Sequence, residues 1–196
     1  MENSRQIYSI IHSVEDINRK FNEELKKHVE GTLPKGHIYK LGFPCDILKS
    51  TGFPNLPIEL SSTRLEEKSK QRNHQFDIID VLDLVNALQR PVGVFSYGDK
   101  FKSQNVIIDL QRDYKNFVVG VFFYQLRAEI KVLSIRGLFN KHTPEWLNWI
   151  TQGKALYLDK KKIQILIDQQ RTNLADVEYL DLNLIESIIK AFINPL

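Results

Sequence analysis

The chain has 196 residues, of which 42 % are hydrophobic, and a formal net charge of +3; that length suits one domain with an N-terminal attachment, or two small domains, and should bury roughly 70 % of the unfolded surface. Its one cysteine, Cys45, excludes an intrachain disulfide and a cysteine metal cluster and fits a reducing compartment. No apolar run approaches the ~18 residues of a membrane span, and the opening MENSRQIYSI lacks the basic-then-apolar order of a secretory signal.

Residues 3–30 predict one long helix, because Ile7, Ile11, Val14, Ile17, Phe21, Leu25 and Val29 recur every three or four residues. Asn3 or Ser4 is placed to cap its start, and Gly31 stands where a left-handed C-terminal cap is wanted. Only one face is apolar, so the helix must pack on the main domain, on a partner, or within a larger assembly. His12 and His28 read as surface residues on it. GTLPKG is a loop, residues 37–41 a short strand, and PCDILKSTG a short helix with Pro44 in its first turn and Gly52 at its end.

Two prolines forbid a helix in FPNLPIEL. SSTRLEEKSK reads as a short helix capped by Ser61 or Ser62, with Leu65 inward. Residues 78–88 predict a second clear helix, with Asp80 capping a later start and Pro91 ending it. The hydrophobic period then falls to two. VGVFSY, NVIIDL, FVVGVFFYQL and EIKVLSIR predict four strands joined by short turns, hence an antiparallel meander ended by Gly137. Thr143 and Pro144 open a helix as cap and first residue, with Trp146, Leu147 and Ile150 on its apolar side. ALYL is a short extended piece, residues 159–170 are helical, and LNLIESIIKAFI is a final amphipathic helix. Consecutive strands flanked by helices make the fold class α+β: N-terminal helices, a four-stranded antiparallel meander, C-terminal helices. The expected division is an N-terminal helical extension over 1–36, an α+β domain over 37–170, and a helix over 171–196 that packs on it.

The chain lacks a Gly-rich phosphate loop, an HExxH, a Cys/His metal spacing and a serine-hydrolase elbow, so neither a metal nor a cofactor is expected. Residues 111–170 hold ten Lys or Arg against five Asp or Glu, a local excess that suits RNA or is simply a solvated face. The organising stretch is LPIELSSTRLEEKSKQRNHQF, in which Lys68, Lys70 and Arg72 precede His74. Phosphodiester cleavage needs a base for the ribose 2′-hydroxyl, an acid for the leaving oxygen, and cations for the phosphorane. His74 can serve as base, its pKa lowered by the neighbouring cations, or it is an exposed histidine ending a charged helix. Ser134 and Arg136 share one face of their strand by the period of two and offer a small anion-binding surface, or Ser134 is bonded to backbone. His142 and Thr143 open a helix whose N-terminus binds phosphate, or Thr143 is a plain cap. Tyr157 and Trp149 are stacking platforms for bases, or core. Lys160, Lys161 and Lys162 are phosphate contacts, or a solvated face.

These pieces together resemble a known family. IYKLGFPCDIL with Gly52, LPIEL, Leu65 and Lys68 ahead of His74, ALQRPVGVF, NVIIDL, FVVGVFF, KVLSIRG and WLNWITQGKALYLDKKK resemble the toxin-like C-terminal domain of phage MuF head proteins. That group is placed in the barnase–EndoU–colicin–RelE nuclease superfamily. The resemblance covers residues 37–167 and implies a nuclease-like α+β fold with a metal-independent ribonuclease activity. It implies Lys68, His74 and Ser134 as catalytic positions. The family's aromatic after the strand serine is replaced by Arg136. The expected function is therefore an endoribonuclease of phage or mobile-element origin, acting in the bacterial cytoplasm as a toxin. RNA is its expected substrate, with an immunity protein and a partner for the N-terminal helix as further partners, and no membrane. The rivals are a non-catalytic interaction module on the same scaffold, a nucleic-acid binder without cleavage, and a transferase using a nucleotide.

Overall fold

The computed structural model describes residues 13–72, 76–96, 103–112, 115–126, 130–172 and 181–195. The fold mixes helix and sheet. In chain order the elements are α1 (Val14–Val29), β1 (Ile38–Lys40), α2 (Asp46–Ser50), β2 (Ile58–Ser61), α3 (Ser62–Ser69), a 3-10 turn (Ile78–Val81), α4 (Leu84–Leu88), β3 (Gly93–Ser96), β4 (Ser103–Arg112), β5 (Lys115–Leu126), β6 (Ile130–His142), α5 (Thr143–Thr151), β7 (Ala155–Leu158), α6 (Lys160–Thr172) and α7 (Leu182–Ala191). No helix among the described residues is long and apolar enough to cross a membrane.

The strands form one sheet in the order β1-β2-β6-β5-β4-β3-β7. It departs from the four-stranded antiparallel expectation in two ways. Three short strands widen it, β1 and β2 at one edge and β7 at the other. One pair, β2 with β6, is parallel. The remaining neighbours are antiparallel. Such three- and four-residue strands find their partners far along the chain, so no local turn signal announces the pairing.

Side chains alternate across the sheet into two apolar layers. Val106 and Ile108 join Val94, Leu133 and Ile135 in a core that includes Phe21 and Leu25 of α1, Leu65 of α3 and Leu84 of α4. Ile107 and Phe95 enter a second core with Trp146, Leu147 and Ile150 of α5, Ile163 of α6 and Ile185 of α7. Helices α1, α3 and α4 therefore supply one layer, and α5, α6 and α7 the other.

Several local expectations are corrected. The single helix over 3–30 is not continuous: Ser13 is extended and its side chain accepts the Asp16 N–H, so α1 begins at Val14. Asn3, Ser4 and His12 lie outside the described residues. Gly31, at φ +72°, takes the left-handed turn past the helix end. Gly137 does not end the sheet, because β6 runs on through it to His142. The helix over 78–88 is broken at Asp83, which holds φ 65° between the 3-10 turn and α4. Asp80 joins Asp77 in a reciprocal capping box at the start of the 3-10 turn, and the N-cap of α4 is Asp83.

Asp83 is held in this uncommon conformation by α1. Its carboxylate accepts from Asn18 Nδ2 at 2.8 Å and Asn22 Nδ2 at 2.9 Å, and its backbone N–H donates to Asn22 Oδ1. Asn18, 6 % exposed, also accepts from the Asn86 N–H at 3.3 Å. Of the three destinations open to the N-terminal helix, α1 takes the main body. Asn18→Ala should cost about 2 kcal/mol, because it removes the acceptor of the Asn86 N–H and one of two donors to the Asp83 carboxylate. Urea titration of this variant beside Asn22→Ala, whose bonds are exposed, checks it. Equal and negligible losses would show that this contact does not fasten the helix.

His28 is not the surface residue its position suggested. Its Nε2 faces Glu66 Oε1 at 2.9 Å and its Nδ1 faces the Tyr39 hydroxyl at 2.6 Å. The carboxylate can only accept, so Nε2 carries a proton directed at Glu66. This bond is the first cause holding the Glu66 carboxyl below its usual range. Beside it, His37 Nε2 lies 3.1 Å from Glu24 Oε2. Two Glu–His pairs thus link α1, β1 and α3 around Tyr39.

Candidate functional site

The end of α3 is where cations collect. Lys68 sits in its last turn and Lys70 at its C-cap, positions where positive charge offsets the helix's exposed carbonyls. Lys68 Nζ donates to Gln71 Oε1 at 3.2 Å, and Lys70 Nζ lies 3.9 Å from Glu66. Beyond them opens a cavity of about 370 Å³. Lys70, Gln71, Arg72, Phe76, Asp77 and Asp80 are among its lining residues. Arg72 is exposed, and Phe76 is buried against the first core. The two carboxylates are fixed by the Asp77–Asp80 capping box, in which the Asp77 N–H donates to Asp80 Oδ2 at 2.8 Å. A cavity lined by both cations and carboxylates suits a ligand that carries both a phosphate and hydrogen-bond donors.

His74 lies outside the described residues, in the chain between Arg72 and Phe76, which both line this cavity. Of the sequence candidates, the structure brings Lys68 and Arg72 together at this end of α3. Ser134 is elsewhere. It sits on β6 beside Glu59 of β2, between Leu133 and Ile135. Those two side chains enter the core that Leu65 of α3 also enters, so by alternation Ser134 points to the opposite face. Lys68 and Ser134 are therefore separated by the sheet.

The expected sharing of one face by Ser134 and Arg136 fails at Arg136 itself. Gly120 pairs with Gly137 while Val121 pairs with Ile135, so Arg136 is the extra residue of a β-bulge. The spacing of core residues records it: Leu133 and Ile135 are two apart, yet the next, Leu138, follows three later. His142 and Thr143 stand at the far end of the same strand, roughly 25 Å from Ser134 at ~3.3 Å per residue. His142, not Thr143, occupies the N-cap of α5, without a side-chain cap bond. Thr143 is the first helical residue and 2 % exposed, which removes it from a phosphate's reach. Tyr157 is packed in the first core on β7, and burial is the main cause raising its phenol pKa. Trp149 stacks edge-on to Phe95 at 5.5 Å, with Lys141 Nζ 5.8 Å from its ring centre. Among the described residues no group of three His, Cys, Asp or Glu side chains is placed to hold a metal ion.

The comparison that bears on this arrangement is a family model, the phage MuF C-terminal domain, which matches residues 65–165, more than half of the chain. The chain belongs to that family. No curated protein and no solved structure matches it. The match to the MuF C-terminal domain starts in α3 at Leu65 and ends in α6 at Ile165. It spans the cavity, the β3–β4, β4–β5, β5–β6 and β3–β7 pairings and every candidate residue from Lys68 to Tyr157, while β1 and β2 precede it. Helix α1, with its hold on Asp83, and helix α7 lie outside it. The carboxylates lining the cavity of the MuF C-terminal domain were missed from sequence, although the i, i+3 spacing of Asp77 and Asp80 is the signature of a capping box.

Proposed function

We propose that this phage MuF C-terminal domain is an endoribonuclease of toxin type whose site is the cavity at the end of α3. The observation that carries the reading is the meeting of Lys70 and Arg72 in one open cavity, with Lys68 one turn away and His74 in the segment between two lining residues. In this reading Lys68 and Arg72 hold the scissile phosphate and stabilise the negative charge that grows on the phosphorane. His74 takes the proton from the ribose 2′-hydroxyl, whose oxygen bonds to phosphorus as the P–O5′ bond breaks, and a solvent water protonates the departing 5′-oxygen. The lining carboxylates Asp77 and Asp80 accept from donors on a base. Ser134, on the far face of the sheet, is not part of this site. The required chemistry is proton transfer and charge stabilisation, so the proposed reaction proceeds without a metal.

The separation of Lys68 from Ser134 favours a second reading, a non-catalytic RNA-binding module on the same scaffold. One assay decides between them. A mixed RNA pool is incubated in EDTA with the wild type, with His74→Ala and with Lys68→Ala. The ribonuclease reading expects cleavage by the wild type and a loss of about 10²-fold or more in each variant. Equal cleavage by wild type and His74→Ala removes the base from the scheme. A folded wild type that leaves the pool intact but retains it on a filter is the binding module.

A further inference from the structure

Three helix ends converge where β7 turns into α6. Lys162 Nζ donates to the Arg90 carbonyl at 3.0 Å, just past the C-terminus of α4. Lys160 Nζ donates to the Lys190 carbonyl at 3.4 Å, in the last turn of α7. Two lysines of the run are thus engaged with carbonyls at the ends of other helices, where an ammonium is favourable. Their contacts gather cations that the sequence keeps far apart. Arg90, Lys161 and Lys190 are exposed, and none of their side chains has a hydrogen bond or ion pair among the described residues. The carboxylate here, Asp159, is taken up by the Lys162 N–H at 3.1 Å and lies 3.7 Å from its ammonium.

We propose that Arg90, Lys161 and Lys190 form a binding surface for the phosphate backbone of single-stranded RNA, separate from the cavity at α3. The ligand class rests on the ribonuclease reading above; the surface itself does not require cleavage. Three free cations with one engaged carboxylate give a strongly positive patch. Lysine is depleted from the centres of protein–protein interfaces, whereas phosphate contacts are drawn from lysine and arginine. The patch shares no residue with the lining of the cavity. A strand of RNA lying across both would be held at two points.

The test is binding of the full chain to a fluorescent 2′-O-methyl RNA 20-mer, which cannot be cleaved through its 2′-oxygen, over a salt series. Arg90→Gln/Lys161→Gln/Lys190→Gln should bind at least about tenfold more weakly at low salt. Its slope of log affinity against log salt should fall by about 2, since each lost single-strand phosphate contact contributes ~0.7. Arg90→Lys/Lys161→Arg/Lys190→Arg, which keeps the charges, should bind like the wild type. A control, Lys20→Gln/Lys26→Gln/Lys27→Gln on α1, should keep the wild-type slope. Equal slopes in the wild type and the patch variant, or an equal fall in the control, overturn the proposal. Polyglutamate binding as tightly as RNA overturns it in favour of an acidic protein partner. Patch-dependent binding with no cleavage of ordinary RNA leaves this surface standing and removes the ribonuclease reading. Cleavage with patch-independent binding does the reverse.

Discussion

Trp146→Ala should destabilise the protein by about 3–5 kcal/mol, the usual range for emptying a fully buried indole site. Trp146 is 0 % exposed and anchors the second core, with its ring edge-on to Phe95 at 6.1 Å. It lies where α5 meets the sheet, among Leu147, Ile150, Ile163 and Ile185. The surrounding side chains come from three helices and from strands β3, β4 and β7, so the site cannot close by moving one element. A second variant sharpens the test. The indole Nε1 is buried with no hydrogen-bond partner among the described residues, a burden of about 1–3 kcal/mol that the native fold already carries. Trp146→Phe removes that orphan donor while keeping an aromatic ring. Its net loss should therefore be about 1 kcal/mol or less. Urea unfolding followed by far-UV circular dichroism measures both. Comparable large losses in the two variants would mean that the nitrogen is satisfied in solution.

The second large effect is a response to alkali centred on Tyr39. This side chain is 0 % exposed, and its hydroxyl is hydrogen-bonded to His28 Nδ1 at 2.6 Å. Burial raises its phenol pKa well above the ordinary value, and the charges of Glu24 and Glu66 push the same way. The folded chain therefore keeps the phenolic proton at pH values where the unfolded chain loses it, which begins near pH ~10. The contribution to stability is fully present below that pH and is lost as pH rises towards the raised native value. Over that window Tyr39 alone should lower stability by about 1.4 kcal/mol for each pH unit. Tyr39→Phe should be less stable at neutral pH by about 1 kcal/mol, from the lost bond to His28. In return its stability should fall less steeply above pH ~10. Tyr157, whose pKa is also raised, leaves some slope behind. Urea midpoints at several alkaline pH values decide the matter: parallel curves for wild type and variant would rule out Tyr39 as the source.

What could be read from the sequence follows the range of the forces involved. Helix α3 with Leu65 inward, and the Trp146, Leu147, Ile150 face of α5, obey local periodicity and stand as expected. The break at Asp83 does not, because its cause is a pair of asparagines 61 and 65 residues earlier in the chain. The parallel pairing of β2 with β6 likewise depends on residues that no turn connects. For the candidate site, the cation run Lys68, Lys70 and Arg72 is visible as composition. The company of Asp77 and Asp80 in the cavity lining and the separation of Ser134 depend on packing. His28 read as a surface residue because its partners Tyr39 and Glu66 lie 11 and 38 residues away.

The bulge at Arg136 bears on how the strand tolerates changes of length. Gly120–Gly137 and Val121–Ile135 are consecutive rungs with one residue looped between them. Removing Arg136 would leave Leu133, Ile135 and Leu138 at the spacing of an unbroken strand, each still on its present side. A deletion one position to either side would remove a paired residue of the ladder instead. Relatives differing by a single residue in this strand should therefore carry their gap here, and a deletion variant lacking Arg136 alone should still fold.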